Sequence, residues 1–127
     1  MKVLFLCFFI LNSLPDINLQ FTNKDPNSTF SKFEVVGEKT IVYQRNGKEI
    51  RPIYTFNQVP SNIHNVDMRS TYKMTVVETI PKGKLTIEIG YTLYRETNMY
   101  SGYLKIKTDY SDAKRSLTTT DYFEIKS

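Results

Sequence analysis

Few side chains in this sequence are suited to catalysis or metal binding. The chain has one histidine, His64, and one cysteine, Cys7. A metal site or an acid–base centre needs several such groups held together, and no His-x-x-x-His or paired-cysteine spacing is present. His64 is expected on a solvated surface. The sequence therefore predicts no metal, no cofactor and no enzymatic activity.

Acidic residues near the C-terminus are the remaining candidates for acid–base chemistry. Asp109, Asp112, Asp121 and Glu124 are interspersed with lysine and hydroxyl residues. Their spacing does not predict a pair of carboxylates sharing one substrate, which general acid–base catalysis would need. They are interpreted as solubilising charges.

Aromatic residues are the notable excess, with nine tyrosines, eight phenylalanines and no tryptophan. One interpretation is structural, because tyrosine is common in strands, where its ring packs and its hydroxyl stays hydrated. The other is an apolar cavity lined by aromatic rings, with tyrosine hydroxyls at its mouth. Under the second interpretation, the alternation of side chains between the two faces of the predicted strands selects four candidate ligand-binding residues: Tyr72, Met74, Tyr91 and Leu93.

The element that would position these residues is clearest at 84–94. Leu85, Ile87 and Ile89 alternate with polar residues. Successive side chains of a strand point to opposite faces, so this pattern predicts a β-strand with one apolar and one hydrated face. Similar alternation predicts about seven strands in all. They fall at about 33–37, 41–44, 49–56, 68–80, 84–94, 103–110 and 117–126.

Turn residues separate the predicted strands. Asn46 and Gly47 predict a type I′ hairpin turn, and Pro52 places the following strand at a sheet edge or a bulge. Residues 21–31 are interpreted as an N-terminal arm and 57–67 as a loop or an irregular strand start. These features predict an all-β fold, an antiparallel immunoglobulin-like β-sandwich. Its expected core is Val76, Leu85, Ile87, Ile89, Leu93, Leu104, Ile106, Phe123 and Ile125.

The N-terminus predicts export. Residues 1–20 contain a lysine, a short apolar run and a polar exit with proline, as a secretory signal peptide does. The apolar run is too short for a spanning helix, so no stable membrane insertion is expected. Residues 21–127 would form a single β-sandwich domain, secreted and extracellular. Asn27, Ser28 and Thr29 form an N-glycosylation sequon, so Asn27 is a candidate glycosylation site.

The net charge of +4 is modest and spread along the chain. Lys105 and Lys107, for example, lie beside Asp109. A mixed-sign, solvated sheet face explains this pattern better than a nucleic-acid surface. No nucleic-acid partner is expected.

Three short motifs resemble secreted insect proteins related to the MD-2-like lipid-recognition family, including the chemosensory CheA-type proteins. They lie at 33–38 (FEVVGE), 42–47 (VYQRNG) and 80–83 (IPKG). The resemblance implies an immunoglobulin-like sandwich whose sheets part to admit a lipid, sterol or pheromone. That family generally carries disulfides, whereas this chain would retain no cysteine after removal of its signal peptide.

Two functions are predicted from these observations. The first is a secreted, non-enzymatic binding protein for a small apolar ligand held between two β-sheets. The alternative is a secreted protein–protein interaction domain with a solid core, which would contact a secreted or cell-surface protein. Its contacts would come from an exposed sheet edge or from the segments 57–67 and 95–102.

Overall fold

The structure, a computed structural model, describes residues 18–112 and 115–125. Nine strands account for most of these residues. They are β1 (Asn18–Asn23), β2 (Phe30–Val36), β3 (Lys39–Asn46), β4 (Glu49–Phe56), β5 (Ser61–Val66), β6 (Arg69–Ile80), β7 (Gly83–Tyr94), β8 (Met99–Tyr110) and β9 (Arg115–Ile125).

All nine strands belong to one antiparallel sheet, ordered β4-β3-β2-β1-β9-β8-β7-β6-β5. The first and last strands pair in its middle, where Phe21 lies opposite Ile125. Strands β4 and β5, which follow each other in the chain, form its two outer edges. The sheet curls into a half-barrel, and its concave face encloses the core.

The prediction of an all-β, antiparallel fold is confirmed. The predicted number and arrangement of strands differ from the structure, which has nine strands in one continuous sheet. All seven predicted strands are present, and the two additional ones are β1 and β5. Pairing of β1 with both β2 and β9 joins the two halves of the sheet, so they curl over one core without separating into two layers.

The alternation predicted for 84–94 is confirmed. Ile87, Ile89 and Tyr91 of β7 are buried on the concave face, whereas Lys84 and Tyr94 are exposed. Burying a large apolar side chain contributes about 1.5–3 kcal/mol, which favours this register over one shifted by a residue. The full set of buried core residues is Phe21, Phe33, Val35, Val42, Phe56, Met74, Ile87, Ile89, Tyr91, Leu104 and Phe123.

Gly102 of β8 allows the middle of the core to pack closely. The rings of Phe21 and Phe33 stack with their centroids 4.6 Å apart. A Cβ atom at Gly102 would lie 2.8 Å from a ring carbon of Phe21 and 3.0 Å from one of Phe33. The two rings therefore use the space above a residue without a side chain.

Hairpin turns agree with the predictions in place and differ in detail. The β3–β4 pairing and the edge position of Pro52 are confirmed, with a bulge between Val42 and Tyr43. The predicted type I′ turn at Asn46–Gly47 is wrong, because Asn46 pairs with Glu49 and the turn residues are Gly47 and Lys48. Of these only Gly47 has a positive φ, 67°, as in a type II′ turn.

The predicted boundary between signal peptide and domain falls within a strand. Asn18, Leu19 and Gln20 pair with Val36, Val35 and Glu34, so β1 starts before residue 21. Residues 1–17 of the predicted signal peptide lie outside the described residues. Within 18–112 and 115–125, the structure contains no helix of the length and apolar character needed to cross a membrane.

Candidate functional site

Three tyrosines form a cluster at one end of the concave face. Tyr72 and Tyr91 lie directly opposite each other on β6 and β7, and their rings stack with centroids 4.8 Å apart and planes 18° from parallel. Tyr100 of β8 lies 5.8 Å from Tyr91, centroid to centroid. Phe21 backs the cluster from the core, 5.4 Å from the Tyr91 ring. The period-two register of neighbouring strands thus brings four aromatic rings together.

A groove of about 300 Å³ runs along this cluster, and we call it the tyrosine groove. It is lined by Tyr72, Tyr91 and Tyr100, and by Asn18 and Leu19 of β1. The rings and the leucine supply apolar surface, whereas Asn18 and the three hydroxyls supply hydrogen-bonding groups. This combination of apolar walls and a few polar groups is typical of sites for small organic molecules.

The hydroxyl of Tyr91 stays protonated at physiological pH. Burial raises the pKa of Tyr91 to about 12, with a smaller contribution from the neighbouring hydroxyls of Tyr72 and Tyr100. Desolvation disfavours the charged phenolate, which explains the direction of the shift. The hydroxyl can therefore donate a hydrogen bond to a polar group on a ligand.

No family model matches the sequence, and neither a curated protein nor a solved structure gives a significant match. The resemblance to the MD-2-like lipid-recognition family therefore stays a prediction.

All four predicted ligand-binding residues lie on the concave face, but they have different surroundings. Tyr72 and Tyr91 line the tyrosine groove. Met74 is only 3% exposed and belongs to the core behind it. Leu93 is half-buried on β7, and it is not among the residues that line the groove.

The sequence interpretation missed three lining residues. Tyr100 falls between the predicted strands 84–94 and 103–110, whereas in the structure the alternation of Leu104 and Ile106 extends back to it in β8. Asn18 and Leu19 fall within the predicted signal peptide. For Tyr100 the alternation is a sufficient signal. In β1 the alternation of Leu19 and Phe21 is short and lies close to the apolar N-terminal run, which predicts a signal peptide.

Asp121 has a structural role that differs from its predicted one as a solubilising charge. Its Oδ2 atom accepts a hydrogen bond from Nδ2 of Asn23 at 2.8 Å and another from the hydroxyl of Ser28. The same Nδ2 atom donates to the carbonyl of Phe30 at 2.7 Å. These bonds fix the turn between β1 and β2 against β9.

Asn27, the predicted glycosylation site, lies in this turn. Its side chain is exposed, and its backbone amide donates to Oδ1 of Asp25 at 2.9 Å. Thr29, the hydroxyl residue of the sequon, is also exposed. A glycan at Asn27 would extend into solvent, away from the tyrosine groove.

His64 lies in the edge strand β5 and is exposed. Within 18–112 and 115–125, no three His, Cys, Asp or Glu side chains lie close enough together to hold a metal ion.

Proposed function

We propose that this protein is a secreted, non-catalytic binding protein that holds a small apolar or aromatic ligand in the tyrosine groove. The observation that carries the proposal is the stacked pair Tyr72–Tyr91 with Tyr100 beside it, open along one side. A planar or chain-like apolar ligand would contact these rings, and a polar end would reach Asn18 or a tyrosine hydroxyl. Aromatic pairs contribute about 0.5–1.5 kcal/mol beyond the area they bury.

The volume of the groove narrows the class of ligand. About 300 Å³ is the lower end of the range of about 300–1,000 Å³ found for small-molecule sites. A ligand with one ring or a short chain fits this volume better than a sterol. A pheromone-sized molecule agrees with both the groove and the resemblance to chemosensory proteins, which itself remains a proposal.

Displacement of an apolar fluorescent probe tests this function. The probe should bind the purified chain saturably, and small aromatic or short-chain compounds should displace it. Because the chain has no tryptophan, quenching of tyrosine emission gives a second signal from the groove itself. Truncating Tyr100 to alanine should weaken probe binding about tenfold, which corresponds to about 1.4 kcal/mol.

The matched control is Tyr122→Ala. Tyr122 is 60% exposed and does not line the groove, so its loss should leave probe binding unchanged. Equal weakening by both substitutions would show that the probe binds nonspecifically to exposed aromatic side chains. A lack of saturable binding for every compound in an apolar panel would remove the proposed function.

A second candidate function is the protein interaction domain, which the edge strand β5 favours. All six of its residues are exposed, including Ile63 at 51% and Val66 at 41%. An extended segment of a partner could pair with such an edge through main-chain hydrogen bonds. Ile63→Lys should then abolish binding of an extracellular partner, because an edge lysine opposes strand pairing. Tyr100→Ala should leave that binding intact, so the two functions can be distinguished.

A further inference from the structure

A second groove lies on the convex face, where it crosses the edge strand β5 and its neighbours β6 and β7. It has a volume of about 320 Å³ and is lined by His64, Val66, Arg69, Thr71, Thr92 and Tyr94. Strand register places these residues in two adjacent rows. His64, Thr71 and Thr92 lie side by side across β5, β6 and β7, and Val66, Arg69 and Tyr94 form the next row. We call this site the convex groove.

Every polar side chain that lines the convex groove can donate a hydrogen bond. Arg69 provides a guanidinium with five N–H donors in a planar fork, and His64 provides an imidazole. The hydroxyls of Thr71 and Thr92 are 3.4 Å apart, and each can turn its hydrogen towards a ligand. No carboxylate lines the groove.

Arg69, like most cations of the described residues, takes no part in an ion pair. Lys32, Arg51 and Lys107 each lie within 4.0 Å of a carboxylate on their own strand. Arg69 makes no such ion pair with any of the described residues. Its nearest acidic residue in sequence, Asp67, lies in the β5–β6 turn and not in the groove. The charge of the guanidinium is therefore available to a ligand.

The backbone on both sides of Arg69 is held in place. The turn before it consists of Asp67 and Met68, whose backbone φ angles are 46° and 67°. Residues other than glycine rarely adopt such positive values. The carbonyl of Met68 accepts a hydrogen bond from the amide of Arg95 at 2.8 Å, which ties this turn to the end of β7. Arg69 itself lies opposite Tyr94 in the β6–β7 ladder.

We propose that the convex groove binds the oxyanion group of a small molecule, a carboxylate, phosphate or sulfate. The Arg69 fork would contact two oxygens of the group, because guanidinium geometry matches both planar and tetrahedral oxyanions. The hydroxyls of Thr71 and Thr92, with His64, would donate to the remaining lone pairs. The Tyr94 ring and Val66 would contact the apolar part of the molecule that carries the anion.

Amide chemical shifts of the isotope-labelled chain test the proposal, recorded during titrations with acetate, phosphate and sulfate at matched ionic strength. Chloride serves as the reference anion. At least one oxyanion should produce saturable shifts confined to residues 64–71 and 92–94, and the preferred anion identifies the chemical group. Arg69→Gln should weaken that binding about tenfold or more, as loss of a charge-assisted bond does. Thr92→Val keeps the shape of the side chain and should weaken binding of that anion about twofold to fivefold, as loss of one neutral hydrogen bond does.

The matched control for charge is Lys48→Gln, which removes one positive charge in the β3–β4 turn, outside the groove. It should leave the titration unchanged. Arg69 is exposed, so its substitution should keep the fold, and a preserved spectrum of the core methyl groups would verify this. Shifts that do not saturate, that match those of chloride, or that persist in Arg69→Gln would overturn the proposal. This outcome is independent of the tyrosine groove, which lies on the other face of the sheet.

Discussion

Two glycines determine how closely aromatic rings cover the strands. On the concave face, Gly102 lies under Phe21 and Phe33. On the convex face, the ring of Tyr103 lies over Gly90, its cross-strand partner, and its hydroxyl donates to Glu88 at 2.5 Å. At both positions a ring fills space that any Cβ atom would occupy.

Gly102→Ala should destabilise the fold. The new methyl group would lie 2.8 Å from the Phe21 ring, and overpacking of this kind costs about 1–3 kcal/mol. Urea unfolding would measure the loss. Ser101→Ala, on the neighbouring residue of the opposite face, should change stability much less. If Phe21→Leu failed to recover part of the loss in the double variant, the steric explanation would be wrong.

Stability should fall as the pH rises from about 10 to 12. In this range an unfolded tyrosine releases its proton, whereas Tyr91, with its pKa raised to about 12 by burial, keeps it. The native state then binds more protons than the unfolded state, so the free energy of unfolding falls with pH. The contribution of Tyr91 is at most about 1.4 kcal/mol per pH unit.

Unfolding in urea at several alkaline pH values checks this expectation. Tyr91→Phe removes one of these ionisable groups and should make the decrease in stability shallower. Part of the decrease should stay, because the hydrogen bond to Glu34 raises the pKa of Tyr43 and burial raises the pKa of Tyr103. Tyr122→Phe, at an exposed position, should retain the wild-type slope. Identical slopes for all three proteins would contradict the assignment to Tyr91.

At the scale of elements, periodicity was sufficient for seven strands and insufficient for two. Strands such as β7 show strict alternation because one face is buried and the other hydrated. Strand β5 lacks this signal, since all its residues are exposed and a bulge interrupts its pairing between Asn62 and His64. In strand β1, Leu19 and Phe21 alternate with polar residues. This short pattern comes soon after an apolar N-terminal run that predicts export.

If the predicted signal peptide is removed, the pairing of β1 with β2 sets how far cleavage can extend into the chain. A chain that starts at Asn18 should be more stable than one that starts at Phe21, because the longer chain keeps the three pairs with β2 and the contact of Leu19 with the core. Loss of a half-buried leucine alone costs about 1–2 kcal/mol. Thermal unfolding of the two chains would measure the difference.

Two further measurements complete this test. Leu19→Ala in the longer chain separates the side-chain contribution from that of the backbone pairs. If the chain is exported as its N-terminus predicts, mass spectrometry of the processed protein should give an N-terminus at or before residue 18. A mature chain that begins after residue 20 and is equally stable would contradict this expectation.

At the scale of the whole molecule, alternation predicts which residues face the core but not how the strands are joined. The expected core residues Ile87, Ile89, Leu104 and Phe123 are fully buried or nearly so. The same alternation is compatible with two stacked sheets or with one curled sheet. The choice depends on the pairing of β1 with β9, about 100 residues away, which no local pattern encodes. The tyrosine groove depends on the same pairing and was predicted only in part.

A single curled sheet has two outer strands, and an unprotected outer strand can pair with another molecule. Strand β4 carries Pro52 and the ion pair of Arg51 with Glu49, features that protect an edge. Pro52→Thr should therefore increase concentration-dependent association, because the edge gains an amide donor. Light scattering over a concentration series would detect it.

Thr55→Val is the matched control for Pro52→Thr, since it changes β propensity little and keeps the proline. It should behave as the unaltered chain does. A Pro52→Thr protein that stays monodisperse throughout the series would show that the bulge and the charges protect this edge without the proline.

The pairing of β1 with β9 also determines how the domain would respond to mechanical load. Because Phe21 lies opposite Ile125, the start of β1 and the end of β9 lie at the same end of an antiparallel pair. Tension between the two chain ends would break the hydrogen bonds between β1 and β9 one after another. In a shear geometry all of these bonds would carry the load at the same time. A domain tethered at both ends should therefore rupture at low force, and it would open from the middle of its sheet.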